Sequence, residues 1–284
     1  MKTLFIAWIC IIVFTPTFGY EVTDDAGQKI VLDHPPARIV SLAPDLTENL
    51  FALGLGEKIV GVVRGCDYPR DALKIPIVAS YDSISVEKIL SLHPDLIVAW
   101  RDARFIPQLK KLNVPIYLNQ PHRITDIPKV LRNLGMLTET SRKAEEVALN
   151  FENHLARLKK TYSHEKPVSV FYQIWFSPLM TITRTSWIND VITLCGGKNI
   201  FENLRGSASS VSMEAVLLSN PEIIIGSRES HDLKNSWAHY KTLRAVKNKN
   251  VYTLNPDKIE RASVRLLQGA EELCQIIDKD RARS

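Results

Sequence analysis

The chain has no apolar run long enough to cross a membrane. The run at the N-terminus, Leu4–Phe14, has about eleven residues, whereas a helix across a bilayer core needs about 20. Small residues follow it up to Gly19, as in the cleavage region of a secretory signal. Cys10 lies inside the run rather than at its end, which argues against a lipid-anchored start. The sequence therefore predicts a signal peptide at 1–19 and a soluble, extracytoplasmic mature protein.

The sequence also lacks the motifs of common catalytic and metal sites. The H-E-x-x-H and G-x-S-x-G patterns are absent, and the histidines have no zinc-binding spacing. Gly54-Leu55-Gly56 follows a predicted helix and has no third glycine, so it does not fit a dinucleotide fingerprint. His122 could face a ligand cleft or be a solvated loop histidine. We predict no catalytic residue, no metal and no cofactor, and a secreted enzyme is the less favoured alternative.

Positive charge is modest and scattered. The net charge of +5 comes without any block of lysine and arginine. A solvated surface explains this better than a footprint for nucleic acid, so we predict no nucleic-acid binding.

Cysteine is scarce as well. Outside the predicted signal peptide, the chain has only Cys66, Cys195 and Cys274. In an oxidising compartment two of these thiols can pair, and one is left over.

One long amphipathic segment is present, Ser141–Tyr162. Its apolar residues recur every three or four positions, which is the period of a helix with one buried face. Lys159 and Lys160 suit the negative end of the helix dipole, and Pro167 prevents the helix from continuing. Two interpretations fit this helix: an ordinary surface helix of one domain, or a spine that joins two lobes.

The segments before and after this helix resemble each other. Each alternates short apolar strands with helices, which predicts α/β lobes with parallel sheets. Ser85–Val98 aligns without a gap on Ser212–Ile225, and Leu53–Ile59 is similar to Leu194–Ile200. The repeat favours two similar lobes with a ligand cleft between them. The predicted order is an N-terminal α/β lobe at 20–137, a connecting helix at 138–164 and a C-terminal α/β lobe at 165–284.

Aromatic and charged residues follow the predicted strands. In open α/β sheets ligands bind at the carboxyl ends of the strands. Aromatic groups beside a few charges suit a broad, partly apolar ligand, although they could equally belong to the cores of the lobes. The candidates are Pro44 and Asp45, in a loop before a helix predicted at Thr47–Leu53, and Asp67, Tyr81, Trp100, Trp175 and Asp257 with Arg261.

Two glutamates occupy the same position of the repeat. Glu87 and Glu214 each follow a capping-type serine by two residues, in the first turn of a short predicted helix. A carboxylate there complements the helix dipole by about 0.3–1 kcal/mol, which would account for both. Alternatively, the two acids are exposed, one on each lobe, for basic residues of a partner. The residues alone leave both interpretations open.

Five motifs, spread over nearly all of the mature chain, resemble motifs of the same protein family. They are Ile39–Pro44 with Thr47 and Glu48, Asp67–Pro69, Ser85–Arg101, Leu194–Gly197 with Asn199–Phe201, and Glu260–Ser263 with Arg265. The last two are fairly specific. Together they resemble the periplasmic substrate-binding proteins of ABC importers that have a helical backbone.

The resemblance implies a fold and a function. The fold would be two Rossmann-like lobes with parallel sheets joined by one long backbone helix. The protein would be a periplasmic monomer without catalysis, which captures cobalamin or a related corrinoid between the lobes and delivers it to an ABC importer permease and its ATPase. Haem and ferric siderophores are the rival ligands.

The resemblance also implies roles for particular residues. Tyr81, Trp100, Asp257 and Arg261 match ligand-facing positions, Glu87 and Glu214 match the acids that dock on permease arginines, and Cys195 and Cys274 match a disulfide. The chain departs from the pattern where Gly65, Ile174 and Ala208 stand in place of cleft aromatics, with Trp175 beside one of them.

Overall fold

A computed structural model describes residues 20–163, 166–227 and 233–282, so the predicted signal peptide at 1–19 lies outside the described residues. Short strands alternate with helices along most of this chain. The strands are β1 Tyr20–Thr23, β2 Lys29–Leu32, β3 Ile39–Leu42, β4 Ile59–Val63, β5 Ile77–Ala79, β6 Leu96–Trp100, β7 Ile116–Asn119, β8 Val168–Trp175, β9 Met180–Ile182, β10 Gly197–Asn199, β11 Ala208–Ser210, β12 Ile223–Ser227 and β13 Val251–Leu254. The helices are α1 Pro44–Ala52, α2 Val86–Ser91, α3 Ile106–Leu109, α4 Asp126–Leu137, α5 Ser141–Tyr162, α6 Trp187–Leu194, α7 Met213–Ser219, α8 Leu233–Ala238, α9 Arg244–Lys247, α10 Pro256–Ile259 and α11 Leu266–Arg281.

The first lobe contains a parallel sheet in the order β5-β4-β3-β6-β7. Every residue of β3 is buried, and so are the first four residues of β6. Nearly continuous apolar runs of this kind occur where helices cover both faces of a sheet. The predicted parallel sheet is confirmed for this lobe. An antiparallel hairpin of β1 and β2 precedes it, and the turn of the hairpin includes Gly27 with φ +75°.

The second lobe contains a mixed sheet, so the prediction of two parallel sheets is wrong here. Its order is β11-β9-β8-β12-β13, with β10 beside β8. Strands β10, β12 and β13 run parallel to their neighbours, whereas β9 is antiparallel to both β8 and β11. Only a short turn joins β8 to β9, and a connection of that length can join only antiparallel strands. The remaining strands of this sheet are parallel, as in the first lobe.

Helix α5 has the predicted bounds, Ser141–Tyr162, and contacts helices of both lobes. On the first-lobe side, Arg132 of α4 binds the carboxylates of Glu145 and Glu152 at 2.7 Å each. On the second-lobe side, His154 lies 2.7 Å from Glu271 of α11. The helix is therefore the spine that joins two lobes, rather than a surface helix of one domain. The domain limits at 137/138 and 164/165 stay a prediction.

Two short elements differ from the sequence prediction. Pro44 and Asp45 were expected in a loop, but they form the first turn of α1, where a proline fits because its missing N–H would have no helical partner. The sequence also predicts a helix at Phe105–Leu112, but this helix extends only over Ile106–Leu109.

The structure contains the disulfide Cys195–Cys274 that the resemblance implies, and it joins the end of α6 to α11. Cys66 is a buried free thiol, 3.1 Å from the hydroxyl of Thr47. Burial raises the pKa of Cys66 to about 11, so the thiol stays protonated at neutral pH.

Removing this disulfide should destabilise the second lobe. We expect the double variant Cys195→Ala/Cys274→Ala to lose about 2–4 kcal/mol of unfolding free energy, because the unfolded chain regains the freedom of the closed loop. Urea unfolding measures the loss, and wild-type protein in dithiothreitol should show a similar one. Peptide mapping that links Cys66 to either partner would contradict the assignment.

Candidate ligand-binding cleft

A cavity of about 390 Å³ lies between the two lobes. The first lobe contributes polar side chains at or just after the end of β7, among them Asn119 and His122. The second lobe contributes a more apolar wall, which includes Ile174, Trp187 and Ala208. Such a combination of apolar surface and a few polar groups is typical of small-molecule sites. The cavity lies where the sequence predicted a cleft.

A second cavity of about 360 Å³ lies on the first lobe and shares Trp100 and Asp102 with the first. Pro44, Tyr81 and Arg104 also line it. Because the two cavities share residues, they lie next to each other, one between the lobes and the other on the first lobe. Together they are called the cleft below.

Aromatic side chains at the cleft are exposed. Tyr81 is 76% exposed and Trp175 is 55% exposed, while Trp100 is partly covered at 37%. The guanidinium of Arg104 lies 5.7 Å from the centre of the Tyr81 ring. Solvent-exposed aromatic surface beside a cavity is typical of a site that a large, partly apolar ligand covers. Trp175 does not line either cavity, but its neighbour Ile174 does.

The floor of the cleft contains a buried acid, Asp45, for which the sequence predicts no specific role. Asp45 lies in the first turn of α1, where it lines the cavity between the lobes and is 1% exposed. The indole N–H of Trp100 donates to its Oδ1 at 2.8 Å. Burial raises the pKa of Asp45 to about 7, although the Trp100 N–H favours the carboxylate form.

Three predicted ligand residues come together, but they pair with one another. Arg261 binds Asp67 at 2.7 Å, Asp257 at 2.6 Å and Glu48 at 2.9 Å. None of the three predicted residues lines either cavity. Burial alone would lower the pKa of Arg261, but its bonds to Asp67 and Glu48 outweigh that effect and raise it. Arg261 is therefore a permanent cation beside the cleft.

Glu48 connects the two lobes through this cluster. Its side chain is 1% exposed, and it also binds Arg265 at 2.8 Å and the hydroxyl of Ser263. The guanidinium of Arg265 lies 3.8 Å from the centre of the Tyr68 ring. These six residues, Glu48, Asp67, Asp257, Arg261, Ser263 and Arg265, are the Glu48 junction. Glu48 belongs to one of the five sequence motifs, but no sequence pattern predicts that it joins the lobes.

A second polar contact joins the lobes at another point. Asp190 of α6 accepts hydrogen bonds from the side chain of Arg123 at 2.8 Å and from the backbone N–H of Ile124 at 2.9 Å. These three residues form the Asp190 junction. His122 and Ser186, which line the cavity, lie near this junction, whereas Glu260 and Ala262 adjoin the Glu48 junction. The cavity therefore lies between the two junctions.

Glu87 and Glu214 occupy matching places in the two lobes. Both are exposed, in the first turns of α2 and α7. Ser85 caps Lys88 N at 3.4 Å, and Ser212 caps Ala215 N at 3.2 Å. Among the described residues neither carboxylate forms an ion pair. A hydrogen bond from its own backbone N–H lowers the pKa of Glu214.

Two α/β lobes joined by a helix, with an aromatic cleft between them, define a solute-binding protein. The family described as "Periplasmic binding protein" matches residues 39–258. The vitamin B12-binding protein of Vibrio parahaemolyticus is 34% identical over 247 residues, which cover 86% of this chain and 90% of that protein. The vitamin B12-binding protein of Yersinia pestis is 37% identical over 241 residues, 84% of this chain and 85% of that protein. The chain belongs to the periplasmic binding protein family.

Solved structures agree with this membership. The crystal structure of the periplasmic vitamin B12 binding protein BtuF of Vibrio cholerae has a TM-score of 0.79 at 34% identity, covering 87% of this chain and 98% of that chain. The apo haem-binding protein RhuT of Roseiflexus has a TM-score of 0.78 at 22% identity, over 86% of this chain and 98% of that one, which shows a shared fold. Membership places the chain in the periplasm, as predicted, and makes it a transport component rather than an enzyme. Within the part of the chain that the structure describes, no helix is both long and apolar enough to span a membrane.

Proposed function

We propose that this chain is the periplasmic component of an ABC importer that captures cobalamin, or a related corrinoid, between its lobes. The observation that carries the proposal is the aromatic cleft between the lobes, in a chain that is 34–37% identical to proteins named for vitamin B12 over most of its length. A corrin ring is broad and largely apolar, so stacked and edge contacts with Tyr81, Trp100 and Trp175 suit it. Haem and ferric siderophores are the alternative ligands.

The proposed ligand contacts fall into two groups. Pro44, Tyr81 and Trp100 line the cleft, and Trp175 extends beside it. Asp67, Asp257 and Arg261 lie in the Glu48 junction, where they would bind polar groups at the edge of the ligand after exchanging partners. Two of the departures from the family pattern, Ile174 and Ala208, lie in the cavity wall and leave it wider than aromatic side chains would.

Titration with cyanocobalamin tests this function. We expect calorimetry to give a Kd below about 10 µM, which is a binding free energy of about −7 kcal/mol or stronger. Haemin and a ferric siderophore, measured side by side, should bind at least about tenfold more weakly. Tight binding of haemin without binding of cyanocobalamin would assign the cleft to the alternative ligand.

Truncating Trp100 should weaken that binding. Trp100→Ala removes the aromatic surface that both cavities share, and we expect the Kd to rise about thirtyfold, as for a buried aromatic anchor worth about 2 kcal/mol. Leu218→Ala is the control, because Leu218 is 87% exposed on α7 and lines neither cavity. It should bind as the wild type does.

The importer partners follow from this function. A binding protein of this kind delivers its ligand to a permease, which an ATPase energises. Glu87 and Glu214 are the proposed docking acids, because both are exposed, unpaired within the described residues and repeated once on each lobe. A permease with two equivalent halves could bind each lobe through the same kind of basic residue. We propose that the protein acts as a monomer in this complex.

A further inference from the structure

A polar pair forms the floor of the cleft, beneath the aromatic side chains. Asp45 is 1% exposed and Asn119 is 0% exposed, and both line the cavity between the lobes. Trp100 donates to Asp45 Oδ1 at 2.8 Å, and the amide Nδ2 of Asn119 lies 3.5 Å from Asp45 Oδ2. The second contact is at the outer limit of a hydrogen bond, and a carboxylate oxygen can accept from more than one donor.

Asn119 also has a buried acceptor that no described residue uses. Its Oδ1 is buried and has no hydrogen-bond partner within the structure. The orientation of this amide follows from its neighbour, because the opposite orientation would place Oδ1 against the carboxylate of Asp45. A buried acceptor without a partner loses its hydration and costs about 1–3 kcal/mol. An acceptor of this kind at a cavity wall fits a ligand that brings the missing donor.

We propose that Asp45 and Asn119 form a recognition site for a primary carboxamide of the ligand. One amide N–H would donate to Asn119 Oδ1 and the other to Asp45 Oδ2. The inference rests on the proposed function, because a corrinoid carries primary carboxamides around its ring. Haem carries carboxylates at its edge instead. The site would therefore select corrinoids that have an intact amide at the position facing this floor.

The charges around the pair favour an amide over a carboxylate. Glu48 of α1 lies near Asp45 but is paired with Arg261 and Arg265, so the unfavourable charge comes from Asp102 and Glu260, which line the same cavity. An ionised ligand carboxylate at this place would meet like charge at low dielectric, which is unfavourable. Cys66 is a protonated thiol near Asp45, and His122 lines the cavity.

Ligands that differ by one amide test the site. The probes are cyanocobalamin and its b-, d- and e-monocarboxylic acids, in each of which one side-chain amide is hydrolysed. At about pH 8.5 Asp45 is ionised, and we expect at least one acid to bind wild-type protein at least about tenfold more weakly than cyanocobalamin. Three acids that all bind within about threefold of cyanocobalamin would overturn the site while the proposed function stands. Absence of cyanocobalamin binding would overturn both.

Two variants separate the roles of the two residues. Asp45→Asn removes the charge and keeps an acceptor for Trp100. The monocarboxylic acid that the wild type binds weakly should therefore bind more tightly, and the ratio of its Kd to that of cyanocobalamin should fall below about threefold. Asn119→Ala removes the free acceptor, so cyanocobalamin itself should bind about tenfold more weakly. Asp71→Asn is the control, a surface change far from these residues in sequence, and it should keep the wild-type ratio of dissociation constants. Melting curves check that each variant is folded. An unchanged ratio in Asp45→Asn, or unchanged cyanocobalamin binding in Asn119→Ala, would contradict the assignment.

The pH dependence of ligand binding is an independent test of the site. The pKa of Asp45 is about 7, so at about pH 6 it is mostly protonated and can donate to a ligand carboxylate. Discrimination against the acid should therefore shrink as the pH falls from about 8.5 to about 6. His122→Gln should retain this change, because the proposal places the cause of the change at Asp45. If the change is lost in His122→Gln and kept in Asp45→Asn, the proposal is wrong.

Discussion

Replacing Glu48 by alanine is expected to lower the free energy of unfolding by about 3–5 kcal/mol. The side chain of Glu48 is 1% exposed and lies between Arg261 and Arg265, whose side chains are 14% and 11% exposed. Removing the acid leaves buried positive charge without its partner, which is more unfavourable than losing a surface pair. Arg261 keeps Asp67 and Asp257, so the main loss falls on Arg265.

Urea unfolding measures the loss, and the chain offers a matched control. Glu145 also binds an arginine at 2.7 Å, but its side chain is 50% exposed. Glu145→Ala should therefore change stability by no more than about 1 kcal/mol. Glu48→Gln should fall between the two, because it keeps hydrogen-bond acceptors and loses the charge. Equal effects of Glu48→Ala and Glu145→Ala would mean that the Glu48 junction contributes little to the fold.

Replacing Glu87 and Glu214 together should abolish transport and leave ligand capture intact. Both carboxylates are exposed on short helices, one on each lobe, and neither lines the cleft. We expect the double alanine variant to keep the wild-type melting temperature and a Kd within about twofold. Uptake of cobalamin by vesicles that contain the permease and ATPase should fall at least about tenfold, because docking depends on complementary charge.

Two exposed glutamates elsewhere provide the comparison. Glu57 and Glu146 are exposed but lie outside α2 and α7, and the double variant Glu57→Ala/Glu146→Ala should transport at the wild-type rate. Raising the salt concentration should weaken docking of the wild type and leave ligand binding unchanged. Normal transport by the Glu87→Ala/Glu214→Ala variant would leave only the helix-dipole role for the two acids.

The sequence was most informative where local pattern determines structure. The period of Ser141–Tyr162 predicted α5 to the residue, and the repeat predicted two lobes with matching helices α2 and α7. Apolar runs such as Leu96–Ala99 predicted buried parallel strands. In each case the pattern of residues that are close together in the chain is enough to predict the element.

The features that were missed depend on residues far apart in the chain. Glu48 meets Arg261 across 213 positions, so no local pattern indicates that Arg261 binds Glu48 at the lobe boundary in addition to Asp67 and Asp257. The sequence predicted a loop at Asp45, because its hydrogen bond with Trp100 joins residues 55 positions apart and leaves no local pattern. The hairpin of β8 and β9 likewise depends on a turn whose residues resemble an ordinary loop.

The two junctions restrict how the lobes can move. A relative translation of the lobes would break the hydrogen bonds of the Glu48 junction, the Asp190 junction or both. A rotation about the line through the two junctions keeps both, so relative motion reduces to one rotational degree of freedom. Bending α5 would break its i to i−4 hydrogen bonds, which keeps the amplitude of that rotation small. The cavity between the junctions lies close to this axis, so its floor keeps its geometry while the aromatic rim adjusts to the bulk of the ligand.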